Sequence, residues 1–590
     1  MQPLDWWILG IYSLAALLIG IYFTRRASHG IEGYFMGGRS LTWWAIGFSA
    51  VATFTSSGSA SAFTMLVYTD GLLGNWWWWI PWIIWMPLVA VIWSKFWRRL
   101  QIVSTAEFVE VRYGGRAAGA FRWISALYFS FGWAVVLMAY VTGWLTKSIG
   151  PILGWSNAAT ILFAASITLA YSLLGGLLGA VYSEIFQFAL FLAANAIFIP
   201  VAIHGAGGLH AVYAATAHHF GTRFFHATPP GGAFDAITVA ALVLQGLFFA
   251  AAPAGGGGFT AQKFMAAKNE FHAQVGQLFN AFLSLVVRVI PFFFLGLVAA
   301  AVFGGTGMAG QLVWGELVKR FGFAGLTGLL VAGELASYQS AMSTEMNWGA
   351  SYLINDVYRR FLKPQASERH YLWVSRAATS LLLGLALLIG YFLVNGMMAW
   401  FLFINNVMIA FILPLAWLRF FWWRLNIWGE IAGLVAGLPL GYAIWFPLGF
   451  AQRPFWQGFL LLFGAGWVVI LAVTWLTPPE RPEVLHEFYR RCRPPGLWGP
   501  ITQTLTPGER AAQRREFHSD LYDCALGIVV CTAAVAATAN LFGRHWFAAA
   551  SCLAAGIVAT ALFIRSWRQK GIFASLGGSS ATAATLSADS

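Results

Sequence analysis

Charge is what this sequence has least of. Only 10% of its 590 residues are Asp, Glu, Lys or Arg, against about 25% in a soluble domain, which excludes a water-soluble enzyme of this length. Cysteine is scarcer still. The four, Cys492, Cys524, Cys531 and Cys552, lie in the last fifth of the chain without metal-ligand spacing, which excludes a disulfide framework. Phosphate-loop and zinc-hydrolase motifs are missing too: no GxxxxGK[ST] is present, and His486-Glu487 lacks the second histidine of HExxH. An ATP-driven pump or membrane enzyme would have no chemistry to work with.

Apolar side chains fill the space that charge leaves. Hydrophobic residues make up 59% of the chain, with 31 Trp and 50 Phe, and the mean hydropathy is +0.69. Aromatic rings anchor segments at membrane interfaces, so the solvent of this chain is a lipid bilayer. A ruler of roughly 20 apolar residues per helix yields about 15 transmembrane segments. They fall near 5–23, 42–66, 76–97, 118–146, 158–178, 181–204, 236–258, 277–303, 324–355, 371–395, 398–423, 426–447, 456–477, 520–542 and 545–566. The first is a retained helix rather than a signal peptide, because Arg25 and Arg26 follow its apolar run and no small-residue cleavage site is evident.

The formal charge of +13 suggests nucleic acid until its placement is read. With Met1 outside, only Lys147, Arg223, Lys319, Arg320, Arg453 and Arg544 fall in outer loops, and Arg288 falls within a span. Every other Lys and Arg of the 35 is inside, which is the positive-inside rule. The basic excess is topology and calls for no nucleic acid partner. It predicts an N-terminus outside and a C-terminus in the cytoplasm of a plasma (inner) membrane. The layout divides into a leading helix and first loop (1–40), a core (41–447), and additional C-terminal helices (448–577). The last part contains a Pro/Arg-rich linker at 478–519, and a Ser/Ala/Thr-rich tail at 578–590 reads as disordered.

Two spans are not uniformly apolar. The second carries Thr53-Phe54-Thr55-Ser56-Ser57-Gly58-Ser59-Ala60-Ser61, and the seventh carries Pro253-Ala254-Gly255-Gly256-Gly257-Gly258. Gly and Pro are poor helix formers, and unwound backbone at membrane depth survives where it lines a cavity or ligand. Interrupted spans at corresponding positions of two halves point to an inverted-repeat secondary transporter. Five spans separate them, as a five-plus-five repeat after one leading helix requires. Close packing of small-residue faces is the other reading. In the ninth span Ser337, Ser340, Thr344, Asn347 and Ser351 fall on one stripe, suited to a partner helix or to a hard cation. Glu334 and Glu345 lie on another face; carboxylates at this depth are ion-site or pathway candidates.

Several stretches then match a known family in order and spacing over about 5–450. Tyr34-Phe35-Met36-Gly37-Gly38-Arg39-Ser40 through Trp43-Trp44-Ala45-Ile46-Gly47 resembles the opening signature of sodium:solute symporters, in particular the sodium–glucose cotransporter branch. Ser104-Thr105-Ala106-Glu107-Phe108 with Arg112-Tyr113, and Gly175-Gly176-Leu177 through Gln187, are similar to later motifs. So are Gln262-Lys263 through Ala266-Ala267-Lys268, Ala336 through Asp356-Val357-Tyr358, and Trp423-Arg424-Leu425-Asn426 with Gly429. The resemblance implies an all-α polytopic membrane protein with a LeuT-like five-plus-five inverted repeat, extra helices at both ends, and Na+ as coupling ion.

By the same resemblance the main sodium site falls on Ala52, Thr55, Ser337, Ser340 and Ala341. Ala341 stands where the family usually has a hydroxyl; Ser343 or Thr344 a turn on, or a water, would have to replace it. A second sodium site of some members maps to Glu184, Ser343 and Thr344, where a proton on Glu184 is the alternative, as is Glu184 as an inner-end surface carboxylate. Sugar-transporting relatives use Asn, His and Glu where this chain has Phe54, Ser59 and Trp78. Few oriented hydrogen bonds remain, so hexose is disfavoured.

Ser56, Ser57, Ser59, Trp78, Gly255, Gly256 and Asn405 (or Asn406) are the solute-pocket candidates, and exposed amides at half-helix ends suit a small carboxylate. Trp76 to Trp79 read as an interfacial belt or an outer gate. Arg288 sits near a lysine used by sugar transporters. The reading is a sodium-coupled symporter of a small organic solute. Proton coupling is the alternative, and so is a transporter-fold sensor, for which 478–519 is too short to be a signalling domain.

Overall fold

A computed structural model describes residues 1–27, 36–252, 258–393, 403 and 406–573. Among them every extended element is helical. Nine helices are long and apolar enough to cross a membrane, and five shorter apolar helices accompany them, including Trp43–Phe54 and Ala236–Phe249. Of the spans expected, the second is divided into two helices at its break, and the ninth, Leu326–Tyr352, carries a polar stripe that lowers its hydropathy.

The second span breaks where the sequence is richest in hydroxyls. Its first half-helix, Trp43–Phe54, ends at Thr55, whose ψ of 84° leaves the helical region, and the second half, Gly58–Asp70, begins without a side-chain cap. Local side chains take the backbone partners that the helix gives up. Thr55 Oγ1 donates to Val51 O at 2.6 Å, Ser57 Oγ to Val141 O at 2.7 Å, and Ser148 Oγ to Ser57 O at 2.9 Å. Close packing operates at the same place. A Cβ on Gly58 would stand 2.8 Å from the Trp144 ring, and one on Gly258 2.5 Å from Trp348 Nε1. The expected break at 253–257 lies outside the described residues; Ala236–Phe249 and Gly258–Met265 flank it.

Leu326–Tyr352, the ninth span, is buried along almost all of its 27 residues. It packs against Asn157–Gly205, Val135–Leu153, the first half-helix and the leading helix, Pro3–Ala27. The leading helix is bolted to it: Asp5 Oδ1 accepts from Gly325 N and Gly328 N, both at 2.8 Å, and Tyr12 bonds Gln339. A carboxylate on free N–H groups suits the positive end of a helix. Asn157–Gly205 is helical over 49 residues, about 74 Å if straight. Yet Gly205 packs on Phe321, and Trp155 stacks on Trp6 of the helix whose Asp5 holds Gly325. Both ends therefore lie near the start of the ninth span, so the segment doubles back on itself.

The eighth span is kinked. Glu270–Leu285 and Ile290–Phe303 are joined by a tight turn at Val287–Val289. Pro291 supplies no N–H and its ring crowds the preceding turn. At the other end of the chain, 478–519 is more ordered than a linker. Pro482–Cys492 is a helix that buries Leu485, Phe488, Tyr489 and Cys492. The next-to-last helix starts at Pro507, set by a capping box between Thr506 and Glu509. Lys95 of the third span bonds Asp520 and, at 3.1 Å, Glu516, while Lys570 bonds Asp523 at 2.5 Å. The Lys95 pairs tie the C-terminal hairpin to the end of the third span.

Candidate functional site

The first half-helix meets the ninth span just before the break, where Thr53 Oγ1 lies 3.2 Å from Thr344 Oγ1. Ala52, Thr55, Ser337, Ser340 and Ala341 are all buried on these two elements. Two hydroxyls of the set are committed to helix carbonyls: Thr55 to Val51, and Ser337 to Glu334 O at 2.9 Å. Ser340 differs. Its hydroxyl is buried, at 1% exposure, with no hydrogen-bond partner among the described residues, which is costly unless something supplies one. An oxygen-lined place with an open oxygen suits a hard cation as cargo.

Glu184, Ser343 and Thr344 do not form an open second cation site. Thr344 Oγ1 donates to one oxygen of Glu184 and Ser49 Oγ to the other. Lys263, on Gly258–Met265, donates to that second oxygen at 3.1 Å, to Thr53 Oγ1 at 2.6 Å and to Ser49 O at 3.0 Å. Ser343 Oγ turns back to Ser340 O at 3.1 Å. The pair is sealed, with side-chain exposures of 2% and 1%, so Glu184 is no surface carboxylate. Glu345 adds electrostatic attraction on Lys263. In the sequence Lys263 stands inside a family-like motif, and a lysine among apolar neighbours was the signal that a partner awaits it.

The solute-pocket candidates scatter. Ser57 is anchored to Val141 O, and Ser59, the second residue of the second half-helix, is buried, its N–H on Ser56 O at 2.8 Å. Gly255, Gly256 and Asn405 lie outside the described residues; Asn406 is buried. Trp78 stands over Arg288, 5.3 Å from ring centroid to guanidinium carbon, and its Nε1 donates to Asn75 Oδ1 at 3.0 Å. Trp76 and Trp79 are almost wholly buried, bonding Ala227 O and Leu285 O, so the tryptophan run turns inward as much as toward an interface.

A membrane bundle with an interrupted span against a polar-striped helix, and an open buried hydroxyl between them, has the construction of an ion-coupled transporter. The description of the sodium:solute symporter family matches residues 34–437. The chain belongs to that family; it is a transporter and no enzyme, and sodium is its coupling ion. Relatives include a sodium/sialic acid symporter of Proteus mirabilis, 25% identical over 62% of this chain and 73% of its own length. A sodium/glucose cotransporter of Vibrio parahaemolyticus is 26% identical over 80% of this chain and 90% of its own. The solved structure of a Na+-coupled sialic acid symporter, substrate-bound and outward-open, shares the fold, with TM-score 0.67 and 20% identity over 81% of this chain and 99% of that one.

Proposed function

We propose that the protein carries a small organic solute into the cell with sodium, by alternating access of a five-plus-five inverted repeat in the plasma membrane. Its N-terminus lies outside. Sodium binds among Ala52, Thr55, Ser337, Ser340 and the backbone at Ala341, and orders the first broken helix against the ninth span. Solute then binds more tightly at that break, and by linkage solute tightens sodium to the same degree. The observation that carries the ion site is the buried, unpartnered hydroxyl of Ser340.

One sodium moves per cycle. Both oxygens of Glu184 are engaged and Lys263 already supplies the positive charge, so the second site is filled by the protein's own ammonium rather than by a second sodium or a travelling proton. Hexose does not suit the pocket, because Phe54 and Trp78 offer no oriented acceptors to sugar hydroxyls.

Saturable binding of radioactive sodium to the purified protein, without solute, tests the reading. Ser340→Ala is expected to weaken it about tenfold or more, as loss of one ligand of a small oxygen set does. A folded wild type that binds no sodium at several pH values would sink the proposal.

A further inference from the structure

We infer that the solute is an anion, and that Arg288 is the residue that receives its carboxylate; this rests on the symport reading above. Arg288 projects from the kink of the eighth span and is 1% exposed. Among the described residues no carboxylate pairs with it. One of its five N–H groups donates to Phe54 O, at 2.7 Å, and Nε is buried with no partner among the described residues. The rings of Phe63, Trp78 and Trp82 surround the guanidinium, with centroids 5.1, 5.3 and 5.1 Å from its central carbon.

Ring faces attract a cation, but they do not neutralise it, and a buried charge without a counter-ion is unfavourable at membrane depth. The partner is therefore supplied by something that comes and goes. The guanidinium fork matches a carboxylate, which it binds through two parallel hydrogen bonds. Phe54 is the last residue of the first half-helix, so Arg288 touches the break at which the second half-helix begins uncapped. An anion there faces a positive helix end as well as the guanidinium. The box offers a solute body only aromatic surface, so the class is a small carboxylate with an apolar or aromatic body. The break and the Phe63 wall of the box share the second span, whose first half sodium orders.

The test uses sodium binding as its readout, so that it needs no prior substrate. Purified full-length protein is titrated with sodium in the presence of benzoate, phenylacetate, 3-phenylpropionate, butyrate or pyruvate, each beside its amide. At least one carboxylate is expected to raise sodium affinity about fivefold or more, the range of ordinary site-to-site coupling, while its amide leaves it unchanged. Arg288→Gln should abolish the response and still bind sodium. Arg288→Lys keeps the charge but loses the fork, and should shift the half-saturating carboxylate concentration about tenfold or more.

Amides acting as well as acids, a response that survives Arg288→Gln, or silence of every carboxylate in a protein that binds sodium would each overturn the inference. If Arg288→Gln does not fold, an undisturbed response in Arg288→Lys overturns it instead. Loss of sodium binding in the wild type alone would strike the symport reading, not this one.

Discussion

Lys263 and Arg288 are both cations buried to 2% or less beside the same half-helix, and their surroundings are opposite. Lys263 is enclosed by oxygen: a carboxylate, a hydroxyl and a carbonyl all accept from it. Arg288 is enclosed by carbon, with one carbonyl for a partner. The same charge at the same depth is completed in one place and left incomplete in the other. A site that the fold finishes by itself holds structure together, and a site that it leaves open is finished by cargo.

The largest expected effect comes from breaking the finished pair. Lys263→Met strands Glu184, and removing one member of a buried ion pair costs about 3–5 kcal/mol, to be read as a loss of thermal stability in low sodium. Added sodium should restore much of it, because a second ion would enter beside Glu184 and stabilise by mass action. Lys263→Met with Glu184→Gln should be close to wild type and insensitive to added sodium. A single substitution as stable as the double would show that the pair is not what holds these elements.

Arg288→Met sharpens the contrast. It gives up a hydrogen bond and ring contacts but also the burial of an unneutralised charge, so apo stability should change by less than about 1.5 kcal/mol. If unfolding shifts as far as in Lys263→Met, the guanidinium is a structural strut. Exchanging the cations should be unequal too: Lys263→Arg forces a planar fork into a cage fitted to an ammonium and should slow sodium-driven uptake several-fold, about 1 kcal/mol in effect. The smallest effect belongs to the proposed sodium site. Ala341→Ser adds a hydroxyl on the ninth span and should tighten sodium binding by about threefold, a fraction of one hydrogen bond's net worth. Unchanged or weaker binding would remove position 341 from the set.

Much of this was legible in the chain. The run Thr53 to Ser61 foretold the break because hydroxyls and glycine both release backbone from a helix, and a polar stripe on the ninth span foretold its central place. Glu184 was found through its motif, but its partner was not. A lysine side chain reaches several ångströms in any direction, and only the packing of three separate elements decides that Lys263 ends on Glu184. Arg288 could be seen as a charge in a span, whereas the turn that aims it at Phe54 O depends on a proline three residues later. The stretch 478–519 looked like linker because its prolines and arginines outnumber its apolar residues; the few apolar ones, Leu485, Phe488 and Trp498, are spaced to be buried.

Taken together, one sodium and one carboxylate carry no net charge. The most direct measurement is therefore uptake into proteoliposomes of the carboxylate found by sodium titration, at a fixed sodium gradient, with the membrane potential set by potassium and valinomycin. The account predicts a rate that is independent of potential in the wild type and potential-dependent in Lys263→Met, where a second sodium can enter. Wild-type uptake that accelerates as the inside is made negative would contradict it, because net positive charge would then be crossing with the solute.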